Sequence, residues 1–452
     1  MSEAELKSNA PPPGDVSRVV EHLFRHEAGK LVSSLAGIFG IHNLSLAEDV
    51  VQEALVRALQ TWPYYGIPEN PAAWLMRTAR NLALDVLRRE KVFRDKTPQI
   101  TALMEHLSAS SSDGAVIECE SDLKDDTLRL IFACCHPLIP AEAQVALALK
   151  TLCGFGTLEI ARAFLTTEAT IAKRLTRAKQ KLREAGIAFE IPVGEELARR
   201  LDSVSQTLYL LFNEGYKAST GQTLVKKELC QEAIRLAGFL VEHPAGNQPS
   251  MHGLLALMLL NAARLPARVD TGGNILRLKE QDRSSWNQAM IARGMFHLAQ
   301  SGVGDKLSKF HLEAGIAACH CAAPDYDSTD WRSILSLYDR LVLLDGSAVV
   351  ALNRAVAVAN VHGPDAGIAA IEAIRNREQL HSYYLLYAVL GDFEALRGNF
   401  AEAAGLFRQA AELAGLESER AFLRQRIRAC EEHGVVPPGR RCSSLECAGI
   451  ES

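Results

Sequence analysis

Residues 170–184, which read TIAKRLTRAKQKLRE, carry basic side chains at a spacing suited to binding phosphate groups. On a helix that turns by about 100° per residue, the apolar side chains share one stripe. These are Ile171, Leu175, Ala178 and Leu182. The opposite face gathers Thr170, Lys173, Arg174, Arg177 and Lys181. The pattern predicts a helix that is anchored by one face and cationic on the other, which is either a solvated basic surface or a contact for a polyanion.

The residues before this helix favour the second interpretation. The stretch GTLEIARAFL predicts a short helix capped by Thr157, and only LTTEAT separates it from the basic helix. Thr167 is placed to cap the basic helix, and Glu168 complements the helix dipole in its first turn. Two helices joined by a tight turn, the second one basic, form a helix-turn-helix. The second helix fits the major groove of DNA, so we predict a DNA-binding segment.

The chain as a whole is not basic. It has 452 residues and a formal net charge of -5, and residues 1–187 have nearly equal numbers of basic and acidic side chains. The positive charge is therefore confined to short segments. This distribution suits a protein that recognises DNA as part of a larger assembly better than one that covers nucleic acid through its overall charge. No apolar run approaches the roughly 20 residues that span a bilayer, and no signal peptide is evident. We therefore predict a cytoplasmic protein that does not contact a membrane.

Ten cysteines are scattered along the chain without a framework spacing. The groups that could suggest metal or redox chemistry are FACCHP, AACHCAA and the pair Cys442 and Cys447. None of them completes a four-ligand zinc pattern. Adjacent cysteines on a helix point to different faces, so we predict buried, inert thiols and expect neither a metal nor a cofactor.

Helical periodicity runs through almost every segment, and strand-like alternation is nearly absent, so the sequence predicts an all-α protein of about three domains. Residues SASSSDG and ECESDLKDD belong to a segment that cannot bury much apolar surface. The predicted parts are a disordered arm over 1–14, a helical domain over 15–94, a linker over 95–124, a helix-turn-helix domain over 125–187, a helical array over 196–434 and a flexible tail over 435–452.

The array contains an internal repeat. VALNRAVAVANVHGPDAGIAAIEAI and YYLLYAVLGDFEALRGNFAEAAGLFRQAAELA each read as helix, short turn and helix, and their turn glycines Gly363 and Gly398 are 35 residues apart. The tetratricopeptide (TPR) period is about 34 residues. We therefore describe residues 196–434 as TPR-like, expect more degenerate repeats before residue 345, and predict a surface for a protein partner.

The first domain has a second set of residues suited to chemistry. One predicted helix carries Asp49, Gln52 and Glu53, and another carries Trp74, Arg77, Arg80, Asn81, Asp85, Arg88 and Arg89. A loop, WPYYGIPENP, is predicted between them over residues 62–71. Its aromatic and rigid residues could hold an unstacked base, or it could be a connector with its aromatics in the core. The second reading suits Trp62 better than Tyr64 and Tyr65.

Three stretches together resemble a known family. AEDVVQEAL, NPAAWLMRTARNLALDVLRRE and TLEIARAFLTTEATIAKRLTRAKQKLRE are similar, in order and spacing, to regions 2 and 4 of extracytoplasmic-function (ECF) sigma factors, which belong to the sigma-70 family of bacterial transcription factors. LRLIFACCHPLIPAEAQVALALKTL, LLFNEGYKAS and VVALNRAVAVAN resemble the subgroup with a long C-terminal TPR-like extension. The resemblance covers residues from about 16 to about 430. It implies a transcription initiation factor rather than an enzyme.

The resemblance also implies roles for individual residues. Asp49, Gln52 and Glu53 match the surface that docks on core RNA polymerase, whose clamp helices and flap are the expected contacts. The matching minus-ten reader comprises Tyr64, Tyr65, Asn70, Trp74, Arg77, Arg80, Asn81, Arg88 and Arg89. The matching minus-thirty-five reader comprises Thr167, Glu168, Thr170, Lys173, Arg174 and Arg177, with Lys181 on the same face. Lys179 and Arg183 are expected to be flanking or polymerase contacts. Because the extension is attached to the same chain, we predict that it regulates the first two domains. It would either inhibit them or be required for their function.

Two other functions fit parts of the sequence. A helix-turn-helix regulator with a TPR sensor that never joins polymerase accounts for 157–434 but leaves the first domain without a role. An enzyme or ligand pocket in the C-terminal region would use Asn213, Glu214, Asp270, Glu280, Asp282 and Arg283, although exposed turn charges also explain these residues. The resemblance does not explain the turn RVDTGGNILRLKEQDR, which contains Gly272 and Gly273.

Overall fold

The computed structural model describes residues 13–93 and 120–434, apart from 165, 218–222, 269, 271–275, 305 and 416. Over these ranges the chain forms α-helices and short 3-10 turns without a β-strand, which confirms the all-α prediction. The chain divides into two compact units, Met1–Leu210 and Leu211–Ser452. Several predicted segments lie outside the described residues. They are the tail, most of the linker, most of the arm and the turn that contains Gly272 and Gly273.

The first unit contains seven complete helices among its described residues. They are α1 (Pro13–Phe39), α2 (Leu44–Tyr65), α3 (Pro71–Phe93), α4 (Glu120–Cys134), α5 (Ala141–Leu152), α6 (Thr157–Ala163) and α7 (Glu168–Glu184). Helix α1 packs against α2, α4 and α5, and its side chains Leu35 and Ala36 are fully buried. A short 3-10 turn, Ile41–Asn43, joins α1 to α2. The long α1 thus links the first helical domain to the helix-turn-helix domain.

Helix α4 begins at Glu120, inside the segment that the sequence assigns to the linker 95–124. The prediction of irregular chain up to residue 124 is therefore wrong for its last residues. Acidic residues are favourable in the first turn of a helix, because they lie near the positive end of its dipole. The acidic run that suggested a linker, ESDLKDD, is here the beginning of a helix.

Helix α2 also extends further than predicted. The loop expected to begin at Trp62 begins at Gly66, because the helix continues through Pro63 to Tyr65. Trp62 is buried, and the N–H of Gly66 donates to its carbonyl oxygen at 2.9 Å. Gly66 has a φ of 84°, a backbone conformation that side-chain-bearing residues rarely adopt. The helix therefore ends at the glycine and not at the proline.

Helix α8 (Gly194–Lys217) crosses the division between the two units. The helices of the second unit follow it: α9 (Thr223–Glu242), α10 (Pro249–Ala262), α11 (Gln288–Ser301), α12 (Lys309–Ala322), α13 (Trp331–Leu344), α14 (Ala348–His362), α15 (Pro364–Glu372), α16 (Tyr384–Leu396), α17 (Phe400–Leu413) and α18 (Glu417–Gly434). Consecutive helices pack against each other through most of this unit. None of the described helices is long and apolar enough to cross a membrane.

The two repeat turns lie where the sequence places them. Gly363 joins α14 to α15 with a φ of 94°, and Gly398 precedes α17 with a φ of 84°. In the second repeat, Phe407 is fully buried among small side chains that include Ala403 and Ala410. The alternation of small residues and aromatics thus forms the core between α16 and α17.

Candidate nucleic-acid interface

The helix-turn-helix has the geometry that its sequence predicts. Ile171, Leu175, Ala178 and Leu182 are all buried, and they hold α7 against α5 and α6. Thr167 caps α7, since its hydroxyl accepts a hydrogen bond from the backbone N–H of Thr170 at 3.2 Å. Thr157 does not cap α6 as predicted. Its hydroxyl instead donates to the Glu168 carboxylate at 2.6 Å, which ties the first turn of α6 to the first turn of α7.

The cationic face of α7 is partly engaged within the protein. Arg174 pairs with Glu142 at the start of α5 at 2.8 Å, and Lys181 donates to the carbonyl oxygen of Leu138 at 3.1 Å. Lys173 and Arg177 are exposed, and the described part of the chain shows no side-chain partner for either. Arg177 and Lys173 are therefore the side chains best placed to reach DNA without first breaking a contact.

Helix α3 carries the second basic face. Its buried side is formed by Leu75, Ala79, Ala83 and Leu84. Arg77, Asn81, Arg88 and Arg89 are exposed, and Arg80 is half-buried. Trp74 lies half-buried with its ring edge-on to the buried ring of Trp62, at 5.4 Å between centroids. The aromatic pair fixes the start of α3 against the end of α2, so the basic face has a rigid support.

The aromatic residues at the end of α2 fall into two groups. Trp62 fits the reading of a connector with its aromatics in the core, and Tyr64 and Tyr65 do not. Trp62 belongs to the core, whereas Tyr64 and Tyr65 are 77% and 84% exposed. Exposed aromatic rings beside a basic helix can stack on unpaired bases. Asn70 has a structural task as well, because its side-chain oxygen accepts a hydrogen bond from the N–H of Ala73 at 3.0 Å and so caps α3.

Helix α2 presents an acidic surface on the side away from its core. Asp49, Gln52 and Glu53 are exposed and lie on one face at the i, i+3 and i+4 positions. Glu53 pairs with Arg57 at 3.2 Å, with both side chains about half exposed. Val56 lies on the same face and is 45% exposed. An exposed face with acids around an apolar residue suits docking to another protein.

Sequence reasoning missed one pair of residues. Glu48, next to Asp49, is 6% exposed and binds Lys179 of α7 in an ion pair. Its other carboxylate oxygen accepts a hydrogen bond from the hydroxyl of Thr151 at 2.8 Å. The resemblance implies that Lys179 is a flanking or polymerase contact, but its ammonium group pairs with Glu48 inside the first unit. No local pattern signals this contact, because its partners are far apart in the sequence.

None of the cysteines that the structure describes forms a disulfide. Cys134 and Cys135 are buried as predicted, and burial raises the pKa of both, that of Cys135 to about 12. Such thiols stay protonated and are poor nucleophiles. Within the described ranges no group of three or more His, Cys, Asp or Glu side chains could hold a metal ion.

Three of the six residues that could have formed an enzyme site have structural contacts, namely Glu280, Asp282 and Arg283. Arg283 is buried, contrary to the expectation of an exposed turn charge, and donates to the carbonyl oxygens of His320 and Ala323 at 2.6 and 2.9 Å. Glu280 pairs with Arg277, and Asp282 accepts a hydrogen bond from the N–H of Ser284 at 2.9 Å. These contacts hold the segment before α11 in place.

Comparison with protein families gives three matches along the chain. Sigma-70 region 2 matches residues 23–92, and sigma-70 region 4 matches residues 129–182. A family of unknown function, DUF6596, matches residues 200–302. The first two matches contain the acidic face of α2, the basic face of α3 and the helix-turn-helix. The third begins in α8 and ends just after α11.

Two curated proteins show how far the similarity extends. The uncharacterized protein R00370 of Rhizobium meliloti (strain 1021) is 40% identical over 386 residues, which cover 85% of this chain and 90% of that protein. The ECF RNA polymerase sigma factor SigL of Mycobacterium tuberculosis (strain ATCC 25618 / H37Rv) is 32% identical over 139 residues, which cover 30% of this chain and 72% of SigL. No solved structure gives a significant match.

Proposed function

Because this chain belongs to the ECF sigma factors of the sigma-70 family, we propose that it joins core RNA polymerase and directs it to promoters. The observation that carries the proposal is that one chain contains a region 2 with an exposed acidic face and a region 4 whose last helix has a basic face. Sigma factors of this family are initiation factors and not enzymes, and we propose the same for this chain.

Each surface has a role in the proposal. Asp49, Gln52 and Glu53 on α2 dock on the polymerase clamp helices. Tyr64 and Tyr65 stack on bases of the opened minus-ten element, while the basic side chains of α3 bind the neighbouring phosphates. Helix α7 enters the major groove of the minus-thirty-five element, where Thr170, Lys173 and Arg177 approach base edges and phosphates. The exposure of Tyr64, Tyr65, Lys173 and Arg177 supports this assignment, whereas Thr170 is half-buried.

Co-purification with core RNA polymerase tests the proposal against a regulator that only binds DNA. We expect the full chain to form a complex with core polymerase in the absence of DNA and to shift promoter fragments only as part of that complex. A chain that binds its DNA site alone, with unchanged affinity when polymerase is added, would be a helix-turn-helix regulator.

Arg177→Ala should weaken promoter binding by roughly 1–3 kcal/mol, the usual cost of losing one base or phosphate contact. Arg174→Ala should cost less than Arg177→Ala, because Arg174 must first leave Glu142 to reach DNA. The measurement is the dissociation constant of the polymerase complex for a promoter fragment, determined at one salt concentration.

Arg199→Ala provides a matched control for this prediction. Arg199 is exposed on α8 and pairs with Glu196 on its own helix at 3.1 Å, so its loss removes the same charge from the same unit. Promoter binding by this variant should stay at the wild-type level. Equal affinity of the Arg177→Ala and Arg199→Ala variants would mean that the basic face of α7 is only solvated.

The second unit is proposed to regulate the first in cis and to offer a surface for a protein partner. A covalently attached domain meets its target at an effective concentration that can reach the millimolar range, so weak contacts are enough. Its helical repeats, with one buried apolar core that contains Phe393 and another, rich in alanine, that contains Phe407, support a stacked array of the kind that binds proteins. Inhibition and scaffolding are both compatible with this arrangement.

Ending the chain at Leu210 should change transcription from a cognate promoter by at least about tenfold, equivalent to ~1.4 kcal/mol of coupling. The cut must keep residues 194–210, because Arg200 donates to the carbonyl oxygen of Phe132 at 2.5 Å and Thr207 donates to Gln144 at 2.6 Å. Ending the chain at Gly434 instead should have little effect. A chain ending at Leu210 that folds, binds polymerase and transcribes at the full rate would make the second unit a passive platform.

A further inference from the structure

The start of α7 carries a carboxylate on a surface that is otherwise basic. Glu168 is the first residue of the helix and is exposed, as are Lys173 and Arg177 further along. Among the described residues, no lysine or arginine forms an ion pair with its carboxylate. A negative charge on a surface that approaches phosphates lowers the affinity for DNA of every sequence. Its interaction with the dipole of α7 is favourable, but that benefit does not depend on how the side chain is oriented.

The carboxylate of Glu168 is nevertheless held in one orientation. The hydroxyl of Thr157, on α6, donates to its Oε1 atom at 2.6 Å. A hydrogen bond from a hydroxyl to a carboxylate at this distance belongs to the strong, charge-assisted kind. A carboxylate has about four acceptor positions, so one bond to Thr157 leaves the others available to a donor outside the protein. The bond therefore orients the acceptor without using it up.

Both partners of this hydrogen bond stand on firmly held backbone. Thr157 lies between Phe155 and Ile160, whose side chains are fully buried. The first turn of α7 is fixed by Thr167, which caps the helix and whose hydroxyl also hydrogen-bonds that of Thr170 at 2.8 Å. The carboxylate is thus presented by two helices whose starts are each anchored. An acceptor that is fixed before binding loses little conformational entropy when it meets its donor.

The bases differ in what they offer to such an acceptor. In the major groove cytosine presents the N4 amino group, which is a donor, whereas guanine presents the acceptors O6 and N7 and thymine presents the acceptor O4. A carboxylate therefore attracts cytosine and repels guanine and thymine. Specificity can be gained in this way, by an unfavourable charge against the wrong partner, even when total affinity is lowered.

The first residues of the second helix of a helix-turn-helix are the ones that contact base edges. We propose that Glu168 selects cytosine at one position of the minus-thirty-five element, and that Thr157 is a positioning residue that orients its carboxylate for this contact. The inference rests on the proposed function, because it places α7 in the major groove of a promoter. It adds the base that is recognised and a residue outside α7 that determines the recognition.

Replacing Glu168 should change which sequences are bound. In Glu168→Ala the affinity ratio of cytosine to guanine at this position should fall by about tenfold, the scale of one mismatched base pair. Sequences without the cytosine should bind more tightly than they bind wild type, because a negative charge is gone. In Glu168→Gln the preferred base should change to adenine, since glutamine forms a bidentate pair with adenine N6 and N7.

Replacing Thr157 separates positioning from stability. Thr157→Val keeps the shape of the side chain and removes the hydroxyl, so the preference for cytosine should fall to a value between those of wild type and Glu168→Ala. Thr157→Ser keeps a hydroxyl and should keep the preference. If the bond only tied α6 to α7, Thr157→Val would weaken binding to all sequences equally and leave the base preference unchanged.

Glu184→Ala is the matched control for the change of charge. Glu184 is exposed at the other end of α7, about 24 Å from Glu168 along the helix. Its carboxylate accepts a hydrogen bond from Gln180 of the same helix at 2.6 Å. This variant loses the same charge from the same helix and should keep the wild-type base preference at every position.

The measurement is a selection from DNA fragments in which the minus-thirty-five element is randomised, with the bound fraction sequenced. It uses the full chain, once in complex with core polymerase and once alone. An unchanged base profile in Glu168→Ala and Glu168→Gln would overturn the role of Glu168, and so would a wild-type profile without the cytosine. A wild-type profile in Thr157→Val would overturn the role of Thr157. Selection by the free chain but not by the polymerase complex would contradict the proposed function, while the variant profiles would still decide the roles of both residues.

Discussion

Replacing Asp49 and Glu53 together by arginine should reduce the affinity for core RNA polymerase by at least about a hundredfold, because like charges placed across an interface cost several kcal/mol. Both carboxylates are exposed on the face of α2 that we propose docks on polymerase. The fold should be unaffected, since exposed substitutions usually change the free energy of unfolding by less than about 0.5 kcal/mol. The measurement is a titration of labelled chain with core polymerase.

Glu402→Arg together with Glu412→Arg is the matched control, because both residues are exposed on α17 and the change in net charge is identical. This variant should bind polymerase normally. Neighbouring Glu48 must stay unchanged in the test variant, since it is buried and binds Lys179. Normal polymerase binding by the Asp49 and Glu53 double variant would exclude this face of α2 as the docking surface.

Arg426→Met should lower the free energy of unfolding of the second unit by about 3–5 kcal/mol, the usual cost of leaving one partner of a buried ion pair unpaired. Arg426 of α18 donates to Asp392 of α16 at 2.5 Å, and the two residues are 8% and 2% exposed. The guanidinium also lies over the Phe407 ring, 5.1 Å from its centroid. Hydrogen exchange of peptides from α16 and α18 measures the change.

The loss of stability should depend on pH. Burial raises the pKa of Asp392 even beside Arg426, and without the arginine this carboxyl should hold its proton more strongly still. Below the pKa of the unfolded chain Asp392 is protonated in both states, so the defect should be smallest there and should grow as the pH rises. Adding Asp392→Asn to Arg426→Met should restore stability at neutral pH. A defect that is equal at acidic and neutral pH would point to lost packing and not to an unpaired charge.

The parts of the fold that follow from local pattern are those that the sequence predicts well. The buried stripe of α7, the Thr167 cap and the turns at Gly363 and Gly398 depend on residues only a few positions apart. The end of α2 differs from the predicted loop over residues 62–71, because the helix continues through Pro63. Proline lacks one backbone N–H, yet α2 continues for two more residues, to Tyr65, before Gly66 ends it.

The contacts that sequence reasoning missed all join distant residues. Lys179 belongs by spacing to a basic run, yet its partner Glu48 lies 131 positions away. Arg283 reads as a turn charge, but carbonyl oxygens of His320 and Ala323 surround its guanidinium. A charged residue can be buried wherever the tertiary fold supplies acceptors, and no local periodicity reports them. The candidate reading surfaces could be found from sequence, whereas the buried contact of Glu48 with Lys179 could not.

Reconstituted transcription with purified core polymerase on a library of promoter sequences tests the central claim most directly. The full chain should direct initiation from sequences that share two elements, and the Asp49 and Glu53 double variant should support none. Arg177→Ala should reduce initiation through the upstream element. As a control, a known sigma factor must transcribe the same library with the same core enzyme. If the wild-type chain then directs initiation from no member of the library, the account is contradicted.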